Sequence, residues 1–239
     1  MPVRHTLLLR ALILLGLILF GVFLTADAGL LSLALESDRS YISWVILGCY
    51  AVLSLQWLYL ILEMSRAHAD LEETRAMLQG AAPGELHLID DGLQIGAQAV
   101  PSGYFADVIS DLIRRGKLEG GSQVLLDALG ERLVARHAFG HFAADGLLKL
   151  GLLGTIIGFI MMLMPVGELQ DFDPNVLQRM LGEMSGGMAV ALFTTIAGLV
   201  TSTLLALQYE VLGNAAVRYV SEVARAVEVN VIPMLRGST

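Results

Sequence analysis

Threonine hydroxyls set among glycines, inside strongly apolar segments, are the residues whose types and spacing can do chemistry in this chain. In Gly151-Leu-Leu-Gly-Thr-Ile-Ile-Gly-Phe159, three- and four-residue separations put Gly151, Gly154, Thr155 and Gly158 on one helix face. In Gly187-Met-Ala-Val-Ala-Leu-Phe-Thr-Thr-Ile-Ala-Gly-Leu199 the same spacing collects Gly187, Ala191, Thr194, Thr195 and Gly198, and Thr201 and Ser202 prolong the stripe. Lipid gives apolar side chains little reason to prefer one another, so contacts inside a bilayer rely on small residues that admit a neighbouring backbone and on hydroxyls that bond across helices. The plain reading of each stripe is tight helix packing or a partner-facing surface. The chemical reading is a hydroxyl-lined ion path, and two matched stripes weigh toward it without removing the first.

Such a path needs a group that takes up and releases the ion. An ionisable side chain in hydrocarbon is expensive enough to mark function, yet Arg10, Glu63 and Lys149 sit near segment ends, where long side chains reach water. Gln56 is polar but cannot cycle a proton. A protonatable carboxylate must therefore come from another polypeptide. His137 and His141, four apart, are better read as hydrogen-bonding groups than as metal ligands, since two ligands do not make a site. No cofactor or metal is expected. With 55% hydrophobic residues in 239, and charge confined to a few stretches, the chain reads as a membrane protein. Its net charge of −8 and pI near 5.0 argue against a nucleic-acid partner. The single cysteine, Cys49, rules out an intrachain disulfide.

Four apolar runs, about residues 6–24, 42–62, 146–165 and 187–207, each approach the ~20 residues that cross ~30 Å of hydrocarbon. The first is longer than a secretory signal core, although Arg4, Arg10 and Ala26-Asp-Ala28 imitate one. Arg39 and Arg179 fall in the loops after the first and third runs, whereas most other basic residues fall on the opposite side, which places both termini in the cytoplasm. Tyr41, Trp44 and Tyr59 fit interfacial anchors, and Trp57 reads equally as an anchor or an ordinary apolar side chain. Residues 1–64 thus carry two spans, 65–145 form a cytoplasmic helical domain, 146–207 carry the stripes, and 208–239 form a cytoplasmic helix. Within the cytoplasmic part, residues 81–103 hold the proline and glycine punctuation of an irregular connection. Apolar periodicity predicts helices over 104–115 and 122–139, and again beyond Leu207 through Val211, Leu212, Ala215, Tyr219, Val220, Val223 and Val227. Asp173-Pro174 reads as the start of a short surface helix. The cluster Arg114, Arg115, Lys117 and Glu119 reads as a solvated face.

The two stripes in this order, separated by a short outer loop and preceded by a cytoplasmic region, resemble the MotA/TolQ/ExbB family of proton-channel subunits. The resemblance implies an all-α membrane protein with four transmembrane helices and long helical cytoplasmic extensions, in a bacterial inner membrane, with no enzymatic activity. It also implies a homopentamer around a dimer of a single-span partner of the MotB/TolR/ExbD type, whose membrane aspartate carries the ion. Thr155 and Thr195 fall where members of the family place the hydroxyls facing that aspartate. Proton flow would then turn one ring against the other as a rotary motor. Four spans and Met188-Ala-Val-Ala-Leu-Phe-Thr-Thr195 are similar to the flagellar stator subunit, but Gly186-Gly187 and Leu204-Leu-Ala-Leu207 stand where stators place prolines. Thr194 beside Thr195 adds an oxygen that makes sodium the alternative ion, and a non-conducting membrane scaffold is the competing class.

Overall fold

A computed structural model describes residues 3–29, 31–32, 34, 38, 40–80, 86–89, 92–96, 98–114, 121–168 and 174–236. Arg39, Arg115, Lys117, Glu119 and Asp173 lie outside the described residues, as do the side chains of Arg4, His87, Arg136 and His137. The elements in chain order are α1 (Val3–Asp27), α2 (Ile42–Gly80), β1 (Leu86–Ile89), β2 (Gly92–Ile95), β3 (Gln98–Ala99), α3 (Tyr104–Arg114), α4 (Gly121–Leu163), a 3-10 turn (Met164–Glu168), α5 (Pro174–Ala226), a π turn (Val227–Val231) and α6 (Ile232–Arg236). Four stretches are long and apolar enough to cross a membrane: Leu7–Asp27, Ile42–Gly80, Val124–Val166 and Val176–Met234. The chain is an all-α, multi-pass membrane protein.

Several separate sequence segments merge. The helix expected over 122–139 and the third apolar run are one helix, α4, of 43 residues. The short surface helix, the fourth run and the periodic tail are likewise one helix, α5, of 53 residues. At 1.5 Å per residue α5 is ~80 Å long, far beyond the ~30 Å of hydrocarbon, so much of it must serve another purpose than crossing. Breaks fall where the chemistry requires them. Pro165 has no N–H to continue α4, Pro174 suits the first position of α5, and Gly29, at φ 70°, closes α1 in the left-handed region. Asp38 accepts hydrogen bonds from the backbone N–H of Ser43 (2.7 Å) and of Ser40 (2.9 Å), which fixes the entry to α2.

The chain divides into two units. One comprises residues 12–57 and 138–209, and its helices present wide apolar faces, including Leu12, Phe20 and Phe23 of α1 and Phe159 and Ile160 of α4. Exposed apolar surface on this scale marks contact with lipid or with other chains.

The other comprises residues 1–11, 58–137 and 210–239. Its buried positions recur three, four or seven residues apart: Ile61, Met64, His68, Leu71 and Leu78 on α2, and Leu212, Ala216, Tyr219, Val223 and Ala226 on α5. That is the spacing of a coiled-coil seam. His68 and Tyr219 meet across it with ring centroids 5.0 Å apart, and Tyr104 of α3 donates to the Glu63 carboxylate at 2.7 Å. Burial, followed by the negative charge of Asp70, drives the Tyr219 hydroxyl far above its ordinary pKa, so it stays neutral. On α4, Leu125, Leu129 and Leu133 are buried while Val124 is exposed.

The irregular connection expected over 81–103 is corrected: it holds a three-stranded antiparallel sheet in the order β1-β2-β3. Ile89 pairs with Gly92 and Ile95 with Gln98, so only two residues separate each pair of strands. Gly96, at φ 60°, supplies the left-handed residue that such a tight reversal favours. β2 packs against α3, with Leu93 and Ile95 buried.

Candidate functional site

The site lies in the first unit, where α4 and α5 turn their small-residue stripes toward each other. A methyl group built on Gly158 would stand 2.5 Å from the Ala191 nitrogen and 2.7 Å from the Gly187 carbonyl oxygen. One on Gly187 would stand 2.5 Å from the Met162 nitrogen, and one on Gly198 2.7 Å from the Gly151 Cα. Backbone meets backbone at both ends of the seam, which only glycine permits. Midway, Gly154 leaves a notch that Thr194 fills: a Cβ on Gly154 would lie 2.4 Å from the Thr194 Oγ1. Thr194 is fully buried and donates its hydroxyl to the Val190 carbonyl (2.8 Å) and the Ala191 carbonyl (3.2 Å) of its own helix. Gly151, Gly154, Gly158, Gly187 and Gly198 are thus covered by the opposing helix of the same chain, with Ala191 half-buried among them.

One residue further round each helix, Thr155 and Thr195 sit on the rim of the seam, half-buried, and their hydroxyls are hydrogen-bonded to each other. Thr195 also reaches the Ala191 carbonyl at 2.8 Å and Thr155 the Gly151 carbonyl at 3.3 Å. Each hydroxyl has a single proton. If Thr155 donates to Thr195, Thr195 donates to Ala191; if the order reverses, Thr155 donates to Gly151. Either order leaves unshared oxygen lone pairs at the rim, and the two differ only by rotating two hydroxyls. Such a pair can accept a hydrogen bond from a neutral carboxylic acid. By releasing a backbone carbonyl it can also donate to a carboxylate.

The rim opens onto apolar surface on both sides, with Leu152, Ile156 and Phe159 exposed on α4 and Leu192, Ile196 and Leu199 on α5. Lys149, two residues before Gly151 on α4, pairs with Asp145 at 2.5 Å. Among the described residues no cluster of three metal-ligating side chains occurs, and His141 is exposed.

Sequence reasoning missed a second polar cluster. Trp57, read equally as an interfacial anchor or an ordinary apolar side chain, is fully buried, and its indole N–H donates to the Gln208 carbonyl. Ser54 donates to the Gln208 side-chain oxygen at 3.0 Å. The clue was in the spacing: Gln208 follows Thr194 and Thr201 at intervals of seven, on the same buried face of α5. Tyr209 is fully buried against Gly140, where a Cβ would come within 2.0 Å of the ring, so an isolated glycine inside a helix marked a packing notch.

A model of the MotA/TolQ/ExbB proton channel family matches residues 128–225, a stretch that contains both stripes and most of α4 and α5. No curated protein and no solved structure matches the chain.

Proposed function

Residues 128–225 belong to the MotA/TolQ/ExbB proton channel family, and from that premise we propose that the chain is the ring subunit of a proton-driven rotary motor. Five copies surround a dimer of a single-span partner whose membrane aspartate carries the proton, in a bacterial inner membrane with both termini cytoplasmic. The observation that supports this reading is the Thr155–Thr195 hydroxyl pair, set on the rim of a glycine-packed seam and opening onto apolar surface. A foreign helix laid along Ile156, Phe159, Leu192 and Ile196 bears its carboxyl group beside two hydroxyls and otherwise meets only hydrocarbon. There the neutral acid is held by donating to a threonine oxygen, and the carboxylate, costly in such surroundings, is held by hydroxyl donors. Alternation between the two states releases and re-engages the partner from successive subunits. Residues 12–57 and 138–209 supply the membrane part of the machine, and residues 58–137 and 210–239 its cytoplasmic part.

Coexpression with an aspartate-bearing single-span protein encoded beside it tests the proposal. The expected product is a stable complex of five subunits with two partners, whose proton conductance in liposomes disappears with Thr195→Val. A closed monomer, or a complex with undiminished conductance in that variant, overturns it.

A further inference from the structure

Gln208 is fully buried, and hydrogen bonding within the protein satisfies only part of it. Its side-chain oxygen accepts from Ser54 and its backbone carbonyl from Trp57, but the amide nitrogen, with two N–H groups, has no partner. Turning the amide round exchanges the ends and leaves the oxygen unserved instead. Tyr50, one turn before Ser54 on α2, holds its hydroxyl beside Ser54 and shielded from the surroundings. The other buried polar residues of this face, Thr194 and Thr201, satisfy themselves by donating to carbonyls of their own helix. Gln208 has no such route, because its side chain reaches across to α2.

A buried amide left dry is destabilising, and native proteins usually fill such a place with water that makes about two to four hydrogen bonds. The groups gathered around Ser54 match that requirement. Gln208 Nε2 donates, the Ser54 oxygen accepts because its own proton is committed to Gln208, and the Tyr50 hydroxyl does either. We propose that Tyr50, Ser54 and Gln208 bind one internal water molecule, and that this water completes the polar clamp joining α2 to α5. The water site does not depend on the proton path proposed above.

Radiolytic labelling of the full chain in lipid nanodiscs tests the site, because a short X-ray pulse converts bound water into hydroxyl radicals that oxidise its immediate neighbours. Oxidation of Tyr50 and Trp57 is expected although Trp57 is 0% exposed. Oxidation of Trp57 falls to background in Gln208→Leu and in Tyr50→Phe, and that of Tyr50 in Gln208→Leu, while Tyr41, 71% exposed, is labelled equally in all three proteins. Melting of Tyr50→Phe gives a second readout: a hydroxyl that holds water lowers the melting temperature when removed, and a dry, orphaned one leaves it unchanged or raises it. Wild-type protein labelled at Tyr41 but at neither Tyr50 nor Trp57, or a Tyr50→Phe variant at least as stable as wild type, overturns the proposal.

Discussion

Gly158 and Gly187 meet backbone to backbone, so that a methyl group on either would stand within 2.8 Å of the other's carbonyl oxygen. Neither partner can give way, because the obstacle is main chain. Gly158→Ala and Gly187→Ala should each cost about 1–3 kcal/mol, the range for overpacking a close-packed interior. Gly182, on the same helix as Gly187, has nothing within 4 Å of a built Cβ. Gly182→Ala should be neutral or stabilising by up to about 1 kcal/mol, since it only improves helix propensity. Thermal unfolding of the purified subunits separates the two outcomes.

Thr155 and Thr195 carry the second prediction, which divides packing from transport. Valine reproduces the shape of threonine without the hydroxyl, so Thr155→Val should cost only about 1 kcal/mol of stability for the lost hydrogen bond. If the pair serves the ion, conductance of the partnered complex should nonetheless fall about tenfold or more, the equivalent of ~1.4 kcal/mol on the barrier. Thr195→Ser, which keeps the oxygen, should retain most of it. Liposome flux measured beside melting temperature reads both quantities, and parallel losses would reduce the threonines to packing residues.

Thr194 gives the third prediction, which concerns the choice of ion. Its hydroxyl is turned into the Gly154 notch and committed to its own helix, away from the Thr155–Thr195 pair. A sodium site needs several converging oxygens, and this residue does not lend one to the rim. Flux at fixed pH should therefore be unchanged when choline replaces sodium. Thr194→Ala should lower stability by about 1–2 kcal/mol through an unfilled notch without altering ion preference.

Asp70, on α2, has its pKa raised by burial first and by the neighbouring Glu73 second. A carboxyl group with a folded pKa above its unfolded value stabilises the fold fully only below the unfolded value near 3.8 and loses that contribution as pH rises through the folded one. At neutral pH the ionised side chain is therefore a burden. Asp70→Asn should melt higher than wild type at pH 7, and its advantage should shrink as the pH approaches 4.

How far the sequence disclosed this arrangement follows from the range of each signal. The spans, the stripes and most buried positions of the α5 tail are written in local periodicity: Leu212, Ala215, Tyr219, Val223 and Val227 are buried where the spacing put them, and Val211 and Val220 are half-buried. Helix continuity was hidden because polar stretches such as Arg132 to Asp145 imitate boundaries while α4 runs through them. The sheet was hidden because Gly92 and Gly96 read as breaks, although they bracket the alternating Leu93 and Ile95. That Thr155 faces Thr195 while Thr194 faces Gly154 depends on the rotation of two helices about their axes. A stripe 100° wide leaves that rotation open, and backbone contact between Gly158 and Gly187 fixes it. Trp57 was ambiguous for the same reason, since its partner, Gln208, lies 151 residues away.

Asp38 gives the opposite pH dependence to Asp70. Burial pushes its carboxyl upward, but hydrogen bonds from the Ser40 and Ser43 side chains and backbones together outweigh it and hold the pKa below its ordinary value. A depressed folded pKa contributes stability that is present above the unfolded value near 3.8 and is lost as pH falls through the folded one. At pH 7 the capping contribution is complete, and Asp38→Ala should cost about 1 kcal/mol, as loss of a helix cap does. Melting curves of wild type and Asp38→Ala should therefore differ by a constant amount from neutrality down to about pH 4 and converge only in stronger acid. A gap that closed near pH 6 would mean that another group, and not this carboxylate, holds the start of α2.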